Sequence, residues 1–293
     1  LIGAHLEGVT LSAAHLEGAD LGFAHLQGAD LREGHLEGAI LRYAHLEGAD
    51  LGFAHLQGAI LGGTSLEMAI LREGHYERAT LSGATLDTKT RLNDASLDQA
   101  TRLGDIQWGG VGAVNLTQVK WGAIGRLGDE TRLERKADAD EVEGAVRAYR
   151  QLAAQLRAQG LAEVADRFSE RAQIVQRRVL RKRRRYGQWL FSWLLALLSG
   201  YGYRPARTVF WYLVFVLGFA ALYLRFGIVD GHPFRPLEAL VFSLTSFHGR
   251  GFFPGGLHLD DPVTVLAAGE AVLGLLIEIS FIATFTQRFF GAK

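Results

Sequence analysis

The sequence contains no cysteine, and this absence excludes several kinds of site. Its 293 residues include 5 Pro, 1 Met and no Cys. A disulfide framework, a thiolate metal centre and a cysteine nucleophile are therefore ruled out. Because the chain begins at Leu1 rather than at a Met, we expect native residues to precede it. The sequence itself shows no signal-peptide pattern.

The net charge of zero hides an uneven distribution of charge. Lys plus Arg number 31, and Asp plus Glu also number 31. Residues 1–88 carry 12 acidic residues, 4 Arg, seven His and no Lys, whereas 177–185 hold seven basic residues and 208–290 are mostly apolar. This asymmetry and the length predict two or more domains of different character.

A repeat of five residues runs through the first 88 positions. Leucine occupies every fifth position from Leu6 to Leu86, except that Tyr76 replaces it once, and a small residue stands two positions before most of them. A period of five fits neither a helix nor a simple strand. A coil that turns a corner every five residues keeps all these side chains inside.

This pattern resembles the pentapeptide-repeat family, whose motif is A(D/N)LXX. In this sequence the motif appears, for example, as GADLGFAHLQGADL. The resemblance covers residues 2–88 and implies a right-handed quadrilateral β-solenoid with about four pentapeptides per coil. We place this domain at 1–128, because a degenerate tail with slipped phase is expected to cap the solenoid, with Trp108 and Trp121 over the last coil. Some members of the family imitate DNA and bind type II topoisomerases, which the acidic excess permits as an alternative.

The histidines of the repeat follow a second period, of ten. They are His5, His15, His25, His35, His45, His55 and His75. With 20 residues per coil they would form two stacks on opposite faces. Two interpretations are open: imidazole ladders that bind metal or respond to pH, and polar ladders in place of the family's usual Asp or Asn. Because no acidic ligand recurs beside each His, we assign no metal and no cofactor.

Residues 129–186 are predicted to form a basic helical hairpin broken at Gly160, since apolar residues recur at three- and four-residue steps on either side. The following segment, 187–203, has an apolar run too short to span a bilayer, and we predict an interfacial amphipathic helix. A basic run can also be a solvated face or a nucleic-acid site, but its position before this helix favours anionic lipid. The predicted lipid-binding residues are Arg177, Arg178, Arg181, Lys182, Arg183, Arg184, Arg185, Trp189 and Trp193.

Residues 204–293 are predicted to form a two-transmembrane pore domain. The apolar runs 208–224 and 263–286 are long enough to cross a bilayer. Basic residues precede the first and follow the second, so both termini are expected in the cytoplasm, at a bacterial inner membrane. Between them, Pro236 starts an apolar half-helix that a glycine-rich segment follows, which predicts a re-entrant pore loop at 236–254.

This order resembles the two-transmembrane pore-loop channels of the potassium-channel superfamily. Gly249-Arg250-Gly251 stands where Gly-Tyr-Gly stands in that family, one residue farther from Thr245. The resemblance implies a pore, and the departures predict a filter without potassium selectivity. The predicted filter and pore residues are Ser246, Phe247, His248, Gly249, Arg250, Gly251 and Phe252.

The roles of two filter residues are left open. Arg250 either faces the axis, where it favours anions, or pairs with Glu270 as a brace. His248 either titrates at the pore mouth or donates hydrogen bonds behind the loop. Glu270, Gly274 and Glu278 share one face of the second span, which we expect to turn toward the pore or a neighbouring subunit. Gly274 is either a gating hinge or a point of close helix packing.

The sequence thus predicts a multidomain membrane protein that combines a solenoid, a helical hairpin and a pore-loop module. We expect a homotetramer, or a pentamer, that contacts lipids and permeating ions but no nucleic acid. No nucleophile elbow, P-loop, dinucleotide fingerprint or zinc motif is found, so an enzyme is not predicted. The alternatives are a non-conducting membrane receptor or scaffold, and a membrane-tethered DNA mimic.

Overall fold

The computed structural model describes residues 1–121, 124–133, 136–201, 205–229, 232–249 and 261–289. The chain divides into two compact units, Leu1–Trp189 and Leu190–Lys293. The first contains the repeats and a helical hairpin, and the second contains two helices of membrane length.

The repeats wind into a solenoid with 20 residues per coil. Parallel bridges join residues 20 apart, such as Ile40 to Ile60, and the backbone N–H of Leu26 donates to the carbonyl of His45 at 2.7 Å. The fivefold leucines from Leu21 to Leu71 have no exposed surface. The predicted inward position of every fifth side chain, and of the small residue two before it, is confirmed.

Through the regular repeats, a tight turn with a left-handed residue forms each corner of the coil. The N–H of Ala29 donates to the carbonyl of Leu26 at 3.1 Å, and Gly28 between them has φ +64°. Turns that need a positive φ at the third residue favour glycine, because it has no Cβ. Gly stands at many of these corners, whereas others hold residues such as Phe53, with φ +60°.

Two single-residue insertions begin the phase slip of the tail, and the offset rises further, to 24, between Arg91 and Asn115. The offset between bridged residues rises from 20 at Ser65 to 21 and then to 22 at Thr80. Each insertion lies in a loop where an aspartate accepts from a threonine three positions later, at 3.0 Å for Asp87 and 2.9 Å for Asp98. These side chains hold the extra residue outside the core, so the leucines stay in register.

Three helices follow the repeats, and the second and third share the repeat core. They are α1 (Gly128–Thr131), α2 (Ala139–Ala158) and α3 (Ala162–Lys182). Gly160, with φ +78°, separates α2 from α3, which confirms the predicted break. Trp121 and Trp108 are buried, and the Trp121 ring meets Phe168 of α3 at 5.9 Å. Apolar side chains of α2 and α3 belong to the same cluster as the solenoid core.

Glutamines on α2 hold the tail of the solenoid. Gln155 accepts from the N–H of Gly112 at 2.6 Å and donates to the carbonyl of Gly110 at 2.9 Å. Gln159, one turn later, accepts from Leu116 at 2.7 Å and donates to Val114 at 2.6 Å. Each amide thus replaces a backbone partner that the irregular tail lacks.

Among its described residues, the second unit contains helices and one hairpin of two short strands. Its elements, with the helix that leads into it, are α4 (Tyr186–Ser199), α5 (Pro205–Phe226), β1 (Ile228–Val229), β2 (His232–Pro233), α6 (Pro236–Phe247) and α7 (Pro262–Phe289). By length and composition, two segments in the described part of the chain could cross a membrane, Ala206–Phe226 and Pro262–Ile279. The short helices at α4 and α6, and the two long ones, are where the sequence predicted them.

Helix α6 packs against both long helices. Phe242 and Ala239 of α6 contact Tyr223 of α5 and Ala267 of α7 in one buried cluster. Farther along, Phe247 joins a second cluster with Val216, Ile277 and Leu198. The N–H of Arg235 donates to the Glu238 carboxylate at 3.0 Å, which caps the start of α6.

Candidate functional site

A buried carboxyl group lies at the centre of the second unit. Glu270 on α7 has no exposed surface. Its Oε2 accepts a hydrogen bond from the Tyr223 hydroxyl of α5 at 2.7 Å, and its Oε1 contacts the Ser243 hydroxyl of α6. The Ser243 hydroxyl also lies 2.9 Å from the carbonyl of Val216. One polar group therefore links all three helices, which stabilises their arrangement because a buried carboxyl without partners is costly.

The face that carries Glu270, Gly274 and Glu278 turns toward α6 of the same chain. Glu270 meets Ser243, a Cβ on Gly274 would overlap the carbonyl oxygen of Phe247, and Glu278 Oε1 lies 3.5 Å from Nε2 of His248. Within the chain this face packs on the half-helix, and its expected position toward the pore or a neighbouring subunit stays a prediction. The contact at Gly274 is that of close helix packing.

The structure describes only the first part of the predicted filter. Ser246 and Phe247 are buried, and α6 ends at Phe247. His248 follows with Nδ1 2.8 Å from the carbonyl of Leu244, an arrangement that fits the hydrogen-bonding interpretation. Gly249 has φ +66°, which suits a helix end.

The rest of that filter, Arg250, Gly251 and Phe252, lies outside the described residues. The pairing of Arg250 with Glu270 is therefore not described. Both oxygens of Glu270 have other partners, Tyr223 and Ser243.

The basic cluster at the end of α3 is mostly exposed, and Arg183 pairs with acidic residues of α2. Arg183 contacts Asp140 at 2.9 Å and Glu143 at 2.5 Å, both on α2. The other exposed basic side chains are Arg178, Arg181, Lys182, Arg184 and Arg185. Helix α4 then presents several apolar side chains to its surroundings, namely Tyr186, Leu190, Phe191, Trp193 and Leu197.

The histidines stack as predicted, in two ladders. Ring centroids are 4.6 Å apart for His5 and His25 and 4.7 Å for His15 and His35, with interplanar angles of 9° and 4°. The other neighbours stack at 5.0 to 5.2 Å. The ladders follow from the 20-residue coil, because it brings each His beside the one in the next coil.

A glutamate two positions later in the chain accompanies five of the seven histidines, a pairing that the sequence analysis missed. The Nδ1 atoms of His5, His15 and His45 lie 2.9, 2.8 and 3.2 Å from a glutamate Oε1. His35 and His75 are each 3.6 Å from theirs. The signal was a His-x-Glu spacing, because residues on either side of an inward Leu both point outward.

Two other residues of the second unit also escaped the sequence analysis. Tyr223 and Ser243 are uncharged members of apolar runs, and nothing in their spacing relates them to Glu270. Which polar groups meet was decided by how α5, α6 and α7 pack. A search for every hydroxyl inside the apolar segments would have found both as candidates.

Comparison with known proteins confirms the repeat. The family model of pentapeptide repeats matches residues 19–52 with 8 copies. No curated protein matches the chain. Many solved structures match it, of which three follow. A pentapeptide repeat protein of the cyanobacterium Cyanothece 51142 is 37% identical, over 30% of this chain and 64% of that one, with a TM-score of 0.24.

The other two come from a cyanobacterium and a plant. A pentapeptide repeat protein of Nostoc PCC 7120 is 32% identical, over 36% of this chain and 84% of that one, with a TM-score of 0.25. A pentapeptide repeat protein of the Arabidopsis thaliana thylakoid lumen is 27% identical, over 36% of this chain and 68% of that one, with a TM-score of 0.25. Together with the coil geometry, the family match shows that this chain is a pentapeptide-repeat protein in its N-terminal region, where the repeats wind into a β-solenoid.

Proposed function

We propose that this chain is the pore-forming subunit of a homo-oligomeric ion channel, a tetramer in its simplest form, at a bacterial inner membrane. The observation that carries the proposal is the placement of α6, a half-length helix packed against two helices of membrane length. In this assignment the pentapeptide-repeat region is cytoplasmic and both termini lie on that side.

The length of α6 supports a re-entrant loop. Its 12 residues correspond to about 18 Å, roughly half the thickness of a bilayer with its headgroups. A helix that ends at this depth leaves carbonyl groups and a following loop inside the membrane. Such backbone is tolerated only where protein buries it or where it lines a water-filled cavity. Several subunits around an axis would supply that cavity.

The surfaces of the long helices support the membrane setting and the assembly. On α5, large apolar side chains such as Leu213 and Leu217 are exposed in the single chain, as are Val272 and Ile279 on α7. In water such continuous apolar surface would be unfavourable. Lipid tails and neighbouring subunits would cover it.

The hydrogen bonds of Glu270 limit which charged groups can act on permeating ions. Glu270 is enclosed by Tyr223 and Ser243, so it serves as a structural brace rather than a cation ligand. Glu278 has a side chain 37% exposed, beside His248. In this assignment Glu278 and Arg250 set the charge that permeating ions meet, with opposite preferences.

The exposed basic side chains of α3 and the apolar surface of α4 form a second element of the proposal. They anchor the segment between the two units to anionic lipid, at about 1 kcal/mol for each basic residue near the surface. Lys182→Gln with Arg184→Gln should weaken attachment to anionic vesicles. Arg183→Gln is expected to weaken the hairpin instead, because this residue pairs with α2.

Single-channel recording of the purified full chain in planar bilayers under a KCl gradient tests the function. Arg250→Ala and Glu278→Gln are recorded beside the wild type. A reversal potential near the chloride value that shifts in Arg250→Ala identifies an anion pore, and one near the potassium value that shifts in Glu278→Gln identifies a cation pore. Absence of current over a range of voltage, tension and pH would contradict the channel proposal and favour a non-conducting receptor.

A further inference from the structure

Two groups of ligand atoms stand out on opposite faces of the solenoid. They are His5 with Glu7 and His25, and His15 with Glu17 and His35. In each group the three ligand atoms lie within 4.8 Å of one another. The two groups are related by the repeat, ten residues apart in the sequence.

The solenoid backbone holds these groups in place. His5 is bridged to His25, and His15 to His35, between adjacent coils. The carbonyl of each inner His also accepts a backbone hydrogen bond from the coil before it, at 2.7 Å for His25 and 2.8 Å for His35. Because the coils are fixed by such bonds, only side-chain rotation separates the observed arrangement from a coordinating one. Such preorganisation favours binding.

The ligand set is chemically suited to a borderline transition metal. Two neutral imidazoles and one carboxylate are ligands that Zn²⁺, Co²⁺ and Ni²⁺ accept, with a further position left for water. The stacked rings must tilt, since metal–nitrogen bonds of about 2.0 to 2.1 Å bring two ligand atoms to roughly 3.4 Å in a tetrahedral site. The outer rings can do so, because the His5 and His15 side chains are each 74% exposed.

On the His15 face, stacked carboxylates give a further reason to expect a cation. The Oε2 atoms of Glu37 and Glu77 are buried and have no hydrogen-bond partner. Glu37 lies one coil beyond Glu17, so the two carboxylates stack on the same face. Like charges in adjacent coils repel each other, and a bound cation would relieve that repulsion.

From these observations we propose that each histidine stack binds one divalent transition-metal ion, through His5, Glu7 and His25 on one face and through His15, Glu17 and His35 on the other. Each glutamate neutralises part of the metal charge and fixes the ring of its own His by the Nδ1 contact, as carboxylates do around histidine ligands. This inference concerns the solenoid alone and does not depend on the proposed channel.

Isothermal titration of the full chain in detergent with ZnCl₂ tests the proposal, and CoCl₂ gives a visible spectrum that reports coordination. We expect two equivalents per chain. His5→Gln and His15→Gln should each remove one equivalent, and the double variant should remove both. Glu17→Gln keeps both stacked rings and should weaken one site alone.

His75→Gln is the matched control. His75 is a ladder position with its own glutamate at 3.6 Å, yet it belongs to neither group of three. We expect it to leave the stoichiometry and affinity unchanged. Far-UV circular dichroism shows whether each variant keeps its fold. Millimolar affinity in the wild type, or equal loss in His75→Gln and His15→Gln, would overturn the proposal.

Discussion

The hydroxyl of Tyr223 donates a 2.7 Å hydrogen bond to the carboxyl group of Glu270, which has no exposed surface. This bond joins α5 to α7, and Ser243 of α6 contacts the other oxygen of the same group. The side chain of Glu270 therefore acts as a shared partner for the whole second unit. Its contribution can be measured by removing one donor at a time.

Tyr223→Phe is expected to destabilise the second unit by about 1–3 kcal/mol, because a buried oxygen loses its donor. Thermal unfolding of the full chain in detergent measures this effect. Tyr212→Phe is the control on the same helix, since its ring packs on Phe247 and no hydrogen bond from its hydroxyl is found among the described residues. Equal stability of Tyr223→Phe and the wild type would mean that the bond does not hold the helices together.

Gly274→Ala and Gly269→Ala form a matched pair on α7. A Cβ at Gly274 would overlap the carbonyl of Phe247, whereas a Cβ at Gly269 meets nothing within 4 Å. Gly274→Ala should force α6 and α7 apart, lowering the unfolding temperature and any channel current. Gly269→Ala should be neutral or slightly stabilising, because Ala favours helix by up to about 1 kcal/mol. Similar effects of the two substitutions would contradict close packing at Gly274.

The stability of the first unit should depend on pH through Glu130. Burial by itself raises the pKa of this carboxyl, but hydrogen bonds from Arg171 at 2.5 Å and Tyr149 at 2.7 Å outweigh burial and leave the pKa below its ordinary value. A lowered pKa in the folded state stabilises the fold above the ordinary value and less as the pH falls. Glu130→Gln should therefore flatten the loss of stability in acid, as followed by urea unfolding at several pH values.

Asp129, the residue before Glu130, should affect the pH dependence of stability in the opposite direction. Burial raises its pKa above the ordinary value, despite hydrogen bonds from the N–H groups of Leu103 and Gly104. Its contribution to stability therefore falls as the pH rises through the folded-state value. Asp129→Asn should steepen the acid loss that Glu130 causes. Asp105→Asn, which breaks an exposed ion pair with Arg147, should leave the pH profile unchanged.

Gln155→Ala should loosen the tail of the solenoid. Gly110 and Gly112 would lose their partner, at a cost of about 1–3 kcal/mol. Gln151→Ala, one turn earlier on α2, is the control because its Oε1 is buried without a partner. Hydrogen exchange should rise at residues near 112 in the first variant only. Unchanged exchange there would show that the glutamine does not hold this loop.

The fivefold period of Leu predicted the coil and its core, since in a solenoid each coil packs only on the coils next to it. The stacking of His15 on His35 followed from the same repeat, because the two residues are one coil apart. The break between helices at Gly160 and the half-helix that begins at Pro236 could also be predicted from the sequence, because each depends on local backbone preferences. These features all arise from contacts close in sequence or repeated at a constant interval.

Contacts between distant positions were decided by tertiary structure alone. Tyr223 and Ser243 meet Glu270 across 47 and 27 residues, and Gln155 meets Gly112 across 43. Local propensity and periodicity carry no information about which polar groups will be paired in this way. The sequence determined a repeating coil and two membrane-length helices, whereas three-dimensional packing decided which buried polar groups satisfy one another, because a desolvated group is stable only beside a partner that the whole fold supplies.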